Sequence, residues 1–67
     1  MAVSYNPLWH QLIERKMKKI EFRDYVGISN STLAKLGKDE IVSLEVIDKI
    51  CQKLNCKVED ILEIIIE

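Results

Sequence analysis

Apolar residues recur at steps of three and four along most of the chain, which is the spacing that places them on one face of an α-helix. The dipeptide Asn6-Pro7 is a typical helix start, because Asn can accept hydrogen bonds from free amides and Pro lacks the donor that goes unpaired in the first turn. Helix 1 is therefore predicted from about residue 7 to residue 16. Its inner face would carry Leu8, Leu12 and Ile13.

Two more short helices are predicted in the middle of the chain. Residues 17–19 interrupt the first pattern, and a second helix then ends at Gly27, since glycine readily adopts the left-handed conformation past a helix end. Ser29 is placed to cap a third helix, which Gly37 would end. The apolar residues that would hold the two helices on the core are Phe22, Val26, Leu33 and Leu36.

The last third of the chain predicts helices 4 and 5. Ser43 would cap helix 4, and a turn over residues 55–57 would separate it from helix 5. The inner residues would be Leu44, Ile47, Ile50, Cys51 and Leu54 on helix 4, and Val58, Ile61 and Leu62 on helix 5. No strand is expected before the last residues, so the pattern predicts an all-α fold of five short helices.

The size of the chain is consistent with that fold. Its 67 residues, 48% of them hydrophobic and 31% charged, suit one small globular domain over residues 1–67. We expect a core from about residue 7 to residue 63 and an apolar tail over residues 64–67. The chain has no apolar run of the roughly 20 residues that cross a bilayer and no secretion signal, so the expected location is cytoplasmic, without a membrane partner.

Charge is unevenly distributed although the formal net charge is only −1. Residues 14–38 contain seven basic and three acidic side chains, whereas residues 39–67 contain eight acidic and three basic ones. Such a division predicts one face suited to an anionic partner and another face directed away from it.

The sequence gives little support to a metal site or to catalysis. Cys51 and Cys56 are five positions apart and the single His10 is distant, so we expect two small buried thiols, with no metal, no disulfide and no cofactor. The chain offers no Ser, Cys and His arrangement, no paired-carboxylate pocket and no Gly-rich phosphate loop. We therefore expect that the protein is not an enzyme.

The outward face of helix 3 has the features that DNA reading requires. With Leu33 and Leu36 directed inward, Ser31 and Lys35 face outward, Asn30 lies at the rim and Thr32 lies on the flank. Small polar side chains let a helix backbone approach the major groove and offer hydrogen bonds to base edges. The alternative interpretation of the polar run is a solvated helix cap.

The spacing of helices 2 and 3 and several short motifs resemble a known family. The motifs are Phe22-Arg23, Gly27-Ile28-Ser29, Ser31-Thr32-Leu33, Ile50-Cys51-Gln52-Lys53-Leu54-Asn55-Cys56 and Asp60-Ile61-Leu62. From about residue 7 to residue 63 the chain resembles the Cro/C1-type (lambda repressor-like, XRE family) helix-turn-helix DNA-binding domains, in particular the small stand-alone bacterial regulators. The resemblance implies a compact five-helix domain whose helices 2 and 3 form the helix-turn-helix.

The resemblance also implies a set of contact residues. Base contacts would fall on Asn30, Ser31 and Lys35, and a phosphate contact at the start of helix 2 would fall near Lys18 or Lys19. Arg23 could contact DNA or could instead pair with a neighbouring acidic side chain. The full candidate DNA-binding set is Lys18, Lys19, Arg23, Ser29, Asn30, Ser31, Thr32, Lys35 and Lys38.

The apolar tail suggests an association surface. Ile64, Ile65 and Ile66 cannot all face so small a core, and we hypothesise that they form a homodimer, either as a paired strand or as an apolar patch. Trp9 is expected in the core or in a subunit contact. The expected function is a sequence-specific transcriptional regulator that binds a double-stranded DNA operator as a homodimer, with no small-molecule ligand evident. The alternative is a protein-interaction module on the same fold, either antitoxin-like or an accessory subunit.

Overall fold

The computed structural model describes residues 2–66, and these form four α-helices, one turn of 3-10 helix and a two-stranded antiparallel sheet. In chain order the elements are β1 (Ala2–Ser4), α1 (Asn6–Glu14), α2 (Lys19–Val26), α3 (Asn30–Gly37), α4 (Leu44–Leu54), the 3-10 turn (Val58–Asp60) and β2 (Glu63–Ile65). Met1 and Glu67, which the predicted domain and tail included, lie outside the described residues.

The predicted caps of α3 and α4 are confirmed. The Ser29 hydroxyl accepts a hydrogen bond from the Thr32 N–H at 3.2 Å, and the Ser43 hydroxyl accepts one from the Val46 N–H at 3.3 Å. Each of these bonds satisfies a backbone donor that has no partner within its own helix. Local sequence chemistry therefore fixes where α3 and α4 begin.

The start of α1 differs from the prediction. Asn6 is the first helical residue rather than the cap, and the Ser4 hydroxyl accepts the Asn6 N–H at 3.3 Å. The helix ends at Glu14 rather than near residue 16, because Lys16 takes a left-handed conformation with φ of 57°. Strand β1, which supplies Ser4, thus provides the hydrogen bond that we expected from Asn6.

The core lies between the helices and is closed on one side by Tyr5, the residue after β1. Its buried residues are Tyr5, Leu8, Leu12, Phe22, Val26, Leu36, Ile47, Ile50, Leu54 and Ile61. Leu44, which we expected on the inner stripe of α4, is 82% exposed, because it is the first residue of that helix and lies beyond the packed face. Trp9 is half-buried, with its ring edge-on to Phe22 at a centroid distance of 6.3 Å.

The prediction of a fifth α-helix and of no earlier strand was wrong. Residues 58–60 form a single 3-10 turn, because the Asp60 and Ile61 carbonyls accept hydrogen bonds from α1, at 3.2 Å from Gln11 Nε2 and 3.1 Å from the Leu8 N–H. The β-branched residues that follow form β2, which pairs with β1 in the register Ala2 with Ile65, Val3 with Ile64 and Ser4 with Glu63.

Gly27 ends α2 in the left-handed region with φ of 84°, as the sequence predicted. A Gly27→Ala substitution is expected to reduce the free energy of unfolding by about 1–2 kcal/mol, because an added Cβ disfavours this conformation even where nothing lies within 4 Å of it. The same substitution at Gly37, a helical residue with equally open surroundings, is the matched control. It should be neutral or stabilising by up to about 1 kcal/mol. Urea unfolding followed by circular dichroism measures both, and equal effects would contradict the prediction.

Candidate nucleic-acid interface

Helices α2 and α3 are joined by the three-residue turn Gly27–Ser29. The N–H groups of Gly27 and Ile28 both donate to the Arg23 carbonyl, at 2.8 and 3.2 Å, which reverses the chain within one turn of α2. The half-buried Ile28 side chain packs against the core and fixes α3 relative to α2. The unit therefore has the short turn and the anchored second helix of a helix-turn-helix.

The first turn of α3 presents a group of hydroxyls at the surface. Ser29 Oγ lies 3.0 Å from Ser31 Oγ and 3.0 Å from Thr32 Oγ1, besides accepting the Thr32 N–H. Ser29 and Ser31 are exposed, and Thr32 is half-buried on the flank. The structure thus brings three of the predicted contact residues together, with Ser29 engaged in the cap and Ser31 facing outward.

Arg23 links α2 to the first residue of α3. Its guanidinium donates through Nη1 to Asn30 Oδ1, and it pairs with the Asp24 carboxylate through Nη2 at 2.9 Å and Nε at 3.0 Å. Because a guanidinium only donates, the Asn30 carboxamide must face it with its oxygen, so the amide NH2 points away from Arg23. Both alternatives considered for Arg23, an acidic partner and a place at the DNA face, are therefore compatible with its position.

The predicted lysines flank this surface. Lys35 is exposed one turn after Ser31, and Lys38 is exposed directly after α3. Lys18 immediately precedes α2, and its N–H donates to the Glu21 carboxylate at 2.9 Å. The Lys19 ammonium lies over the Trp9 ring, 4.5 Å from its centroid, so α1 constrains this cation.

Two acidic residues after α3 have roles in the fold that the sequence did not predict. Asp39 takes a left-handed conformation with φ of 57°, and its carboxylate accepts the Tyr5 N–H at 3.1 Å. The buried Tyr5 hydroxyl donates to the Glu40 carbonyl at 2.7 Å, and burial raises the pKa of this phenol, which keeps it a neutral donor. The only signal in the sequence was that Asp tolerates the left-handed conformation.

The isoleucines proposed for a homodimer do not behave as one group. Ile64 and Ile65 pair with β1 of the same chain, whereas Ile66 follows the strand and is 80% exposed. Ile64 borders an open groove of about 380 Å³, and three other large apolar side chains that are exposed line the same groove. The groove-lining group comprises Ile41, Leu44, Val58 and Ile64.

Other kinds of site find little support in residues 2–66. Within that range no three His, Cys, Asp or Glu side chains lie close enough together to hold a metal ion. None of the helices described is long and apolar enough to span a membrane.

Comparisons with known proteins agree with this geometry. A family model described as the Cro/C1-type HTH DNA-binding domain matches residues 7–67. The chain is 39% identical over 54 residues to the uncharacterized HTH-type transcriptional regulator YozG of Bacillus subtilis (strain 168). The matched segment covers 78% of this chain and 64% of that protein. It also resembles the crystal structure of the transcriptional regulator VanUg (Form II), with a TM-score of 0.93 and 57% identity over 98% of this chain and 88% of that one.

Proposed function

Because this chain belongs to the family of Cro/C1-type helix-turn-helix DNA-binding domains, we propose that it is a sequence-specific transcriptional regulator whose helix α3 reads the major groove of double-stranded DNA. The observation that carries the proposal is the first turn of α3, where small polar side chains are exposed and a cation follows one turn later. That profile lets the helix backbone approach base edges closely.

Asn30 and Ser31 are the proposed base-reading residues at the leading end of α3. An Asn carboxamide can bond adenine in a bidentate manner, with its oxygen accepting and its NH2 donating. The contact between Arg23 and the Asn30 oxygen fixes the plane of the carboxamide before DNA arrives, and the oxygen keeps a second lone pair for a base. Lys35, one turn later, can reach a guanine or the adjacent phosphate.

Phosphate contacts are proposed along both sides of α3. The free N–H groups at the starts of α2 and α3 attract anions, and Lys18 and Lys19 lie at the first of these starts. Thr32, on the flank of α3, and Lys38, directly after its end, are the other proposed phosphate contacts. Each neutralised phosphate should add about −0.9 to the slope of log K against log salt concentration.

We further propose that two copies associate through the groove-lining group and that this dimer binds a two-fold symmetric operator. Ile41 and Leu44 are 83% and 82% exposed, and Val58 and Ile64 are 50% and 57% exposed. Exposed apolar side chains concentrated on one open groove are typical of an association surface. A second copy would cover them and would supply the second reading helix that a palindromic half-site pair requires.

Selection of bound sequences from a random double-stranded DNA pool tests the proposed function. We expect enrichment of a palindrome whose half-sites are centred about 10 base pairs apart, or a multiple of that distance. Enrichment of a single half-site would support sequence-specific DNA binding by α3 and would contradict the proposed dimer. If no sequence is enriched, the proposal of a transcriptional regulator is rejected in favour of a protein-interaction module, whose partner would occupy the groove.

An Arg23→Lys substitution should reduce sequence discrimination while keeping the charge. A lysine ammonium lacks the planar fork through which the guanidinium contacts Asp24 and Asn30 from different nitrogens, so the carboxamide would lose its fixed orientation. We expect the ratio of specific to non-specific affinity to fall by roughly tenfold, within the range of a weakened base contact. Stability should change by less than about 1 kcal/mol, since the pair lies at the surface.

Binding isotherms on the selected operator and on unrelated DNA, each over a range of salt concentrations, measure the effect of Arg23→Lys. An unchanged salt slope with a reduced ratio would support the positioning role. An unchanged ratio would show that Arg23 does not orient Asn30.

A further inference from the structure

The chain leaves helix α4 through a turn that brings its two cysteines together. Asn55 takes the left-handed conformation with φ of 52°, and the Cys56 N–H donates to the Cys51 carbonyl at 3.1 Å. This is the hydrogen bond of a Schellman motif, in which the side chains at the two bonded positions commonly contact each other. Both positions are cysteine in this chain, and both thiols are free and half-buried.

We propose that Cys51 and Cys56 form a reversible disulfide across this turn when the protein meets a small-molecule disulfide such as oxidised glutathione. The backbone hydrogen bond places the two residues side by side, and their sulfurs lie close enough to interact electrostatically. Disulfides span Cα separations of about 4.4–6.8 Å, which residues joined in this way can adopt. This inference departs from the expectation of two small buried thiols without a disulfide, which rested on the sequence spacing alone. It does not depend on the proposed DNA-binding role.

The surroundings of the two sulfurs assign an order to the reaction. Burial raises the pKa of the Cys51 thiol, and the adjacent Cys56 sulfur raises it further, which lowers the thiolate fraction of Cys51 at neutral pH. The Gln11 side-chain amide nitrogen lies 3.8 Å from Cys56 Sγ and donates toward it, so this sulfur already accepts a hydrogen bond. Cys56 is therefore assigned the first attack and Cys51 the second.

Each step is an ordinary thiol–disulfide exchange. Cys56 loses its proton and attacks one sulfur of oxidised glutathione, which forms a mixed disulfide and releases one glutathione thiolate. Cys51 then loses its proton and attacks the Cys56 sulfur, forming the Cys51–Cys56 bond and releasing the second glutathione thiolate. The protein gives up two electrons, the glutathione disulfide accepts them, and the two released thiolates take up the two protons.

The disulfide would link residues at the C-terminal end of α4, whose last carbonyls accept hydrogen bonds from the segments of α1 and α2. Beside the cysteines, the Leu54 carbonyl accepts from Arg15 Nη2 at 2.6 Å, and the Lys53 carbonyl accepts from the Tyr25 hydroxyl at 3.1 Å. The end of α4 thus holds α1 and α2 through its last carbonyls. A covalent bond across the turn would resist fraying of this junction and so would stabilise the native state.

Incubating the reduced chain with oxidised and reduced glutathione at fixed ratios tests the proposal. The expected product is a single chain, not covalently linked to another, that has lost two hydrogen atoms and both free thiols, with the tryptic peptides ICQK and LNCK joined. Its thermal midpoint should exceed that of the reduced chain by about 5–10 °C, and dithiothreitol should reverse the shift. A chain carrying two glutathiones, an intermolecular disulfide or no modification would overturn the proposal.

Two controls separate native geometry from short sequence spacing. The same titration in urea gives the cyclisation constant of the unfolded chain, and we expect the folded constant to be larger by about tenfold or more. Equal constants would show that the turn does not place the thiols for bonding. Cys51→Ser should trap one glutathione on Cys56 faster than Cys56→Ser traps one on Cys51, and the reverse order would overturn the assigned sequence of attacks.

Discussion

An Asn30→Ala variant is expected to bind the selected operator about 1–3 kcal/mol more weakly, or about 5- to 150-fold in Kd, with little change on unrelated DNA. Asn30 lies at the exposed leading end of α3, and Arg23 holds its carboxamide oxygen, so the truncation removes both halves of a preoriented base contact. The number of neutralised phosphates stays the same. The salt dependence should therefore be that of the wild-type chain.

Lys38→Ala is the matched comparison, because it truncates an exposed side chain just beyond the other end of α3. A lost phosphate contact should weaken binding to operator and to unrelated DNA alike and should reduce the magnitude of the salt slope by about 0.9. Fluorescence anisotropy on both DNAs at several salt concentrations distinguishes the two patterns. If Asn30→Ala weakens both DNAs equally, α3 does not read bases through this residue.

The helix-turn-helix could be predicted from the sequence because its signals are local. Gly27 supplies the left-handed conformation, and Ser29 caps the helix that begins one residue later. Neither feature depends on what the rest of the chain does. For the same reason the exposed face of α3 followed from the positions of Leu33 and Leu36 alone.

The end of the chain was mispredicted because its conformation depends on residues that are distant in sequence. Val58, Ile61 and Leu62 have a spacing that fits a helix. However, α1 donates hydrogen bonds to the Asp60 and Ile61 carbonyls, and β1 pairs with the isoleucines that follow. A strand of three residues such as β1 has no periodicity of its own to detect. Pairing partners 59 to 63 residues apart can be identified only in the folded chain.

The candidate site shows the same division between local and distant information. Its outward residues could be named from a helical wheel, whereas the contact of Arg23 with Asn30 requires the actual angle between α2 and α3. The groove-lining group was also missed, because Ile41, Leu44 and Ile64 come from three separate segments. The hypothesis of an apolar association surface named Ile64, which lines this groove, together with Ile65 and Ile66, which do not line it.

Leu44→Glu is expected to abolish the proposed homodimer and to weaken binding to a palindromic operator by about 100-fold or more. Two linked half-sites gain about 10²–10⁴ in affinity over one, and that gain is lost when the protomers separate. In a dimer built on the groove, the new carboxylate would be buried without a partner. The monomer should be nearly unaffected, because Leu44 is 82% exposed and a carboxylate is favourable in the first turn of a helix.

Ile13→Glu is the matched control for Leu44→Glu, because it makes the same change in charge at a side chain that lies outside the groove. Ile13 is 74% exposed, so the prediction that it lies on the inner face of helix 1 was wrong. Sedimentation equilibrium at micromolar concentration, with operator and half-site affinities measured in parallel, follows both variants. Leu44→Glu should lose operator affinity and keep half-site affinity, whereas Ile13→Glu should retain the dimer. A Leu44→Glu protein that remains dimeric would place the contact between copies elsewhere, since no stable isologous interface tolerates unpaired carboxylates buried at its centre.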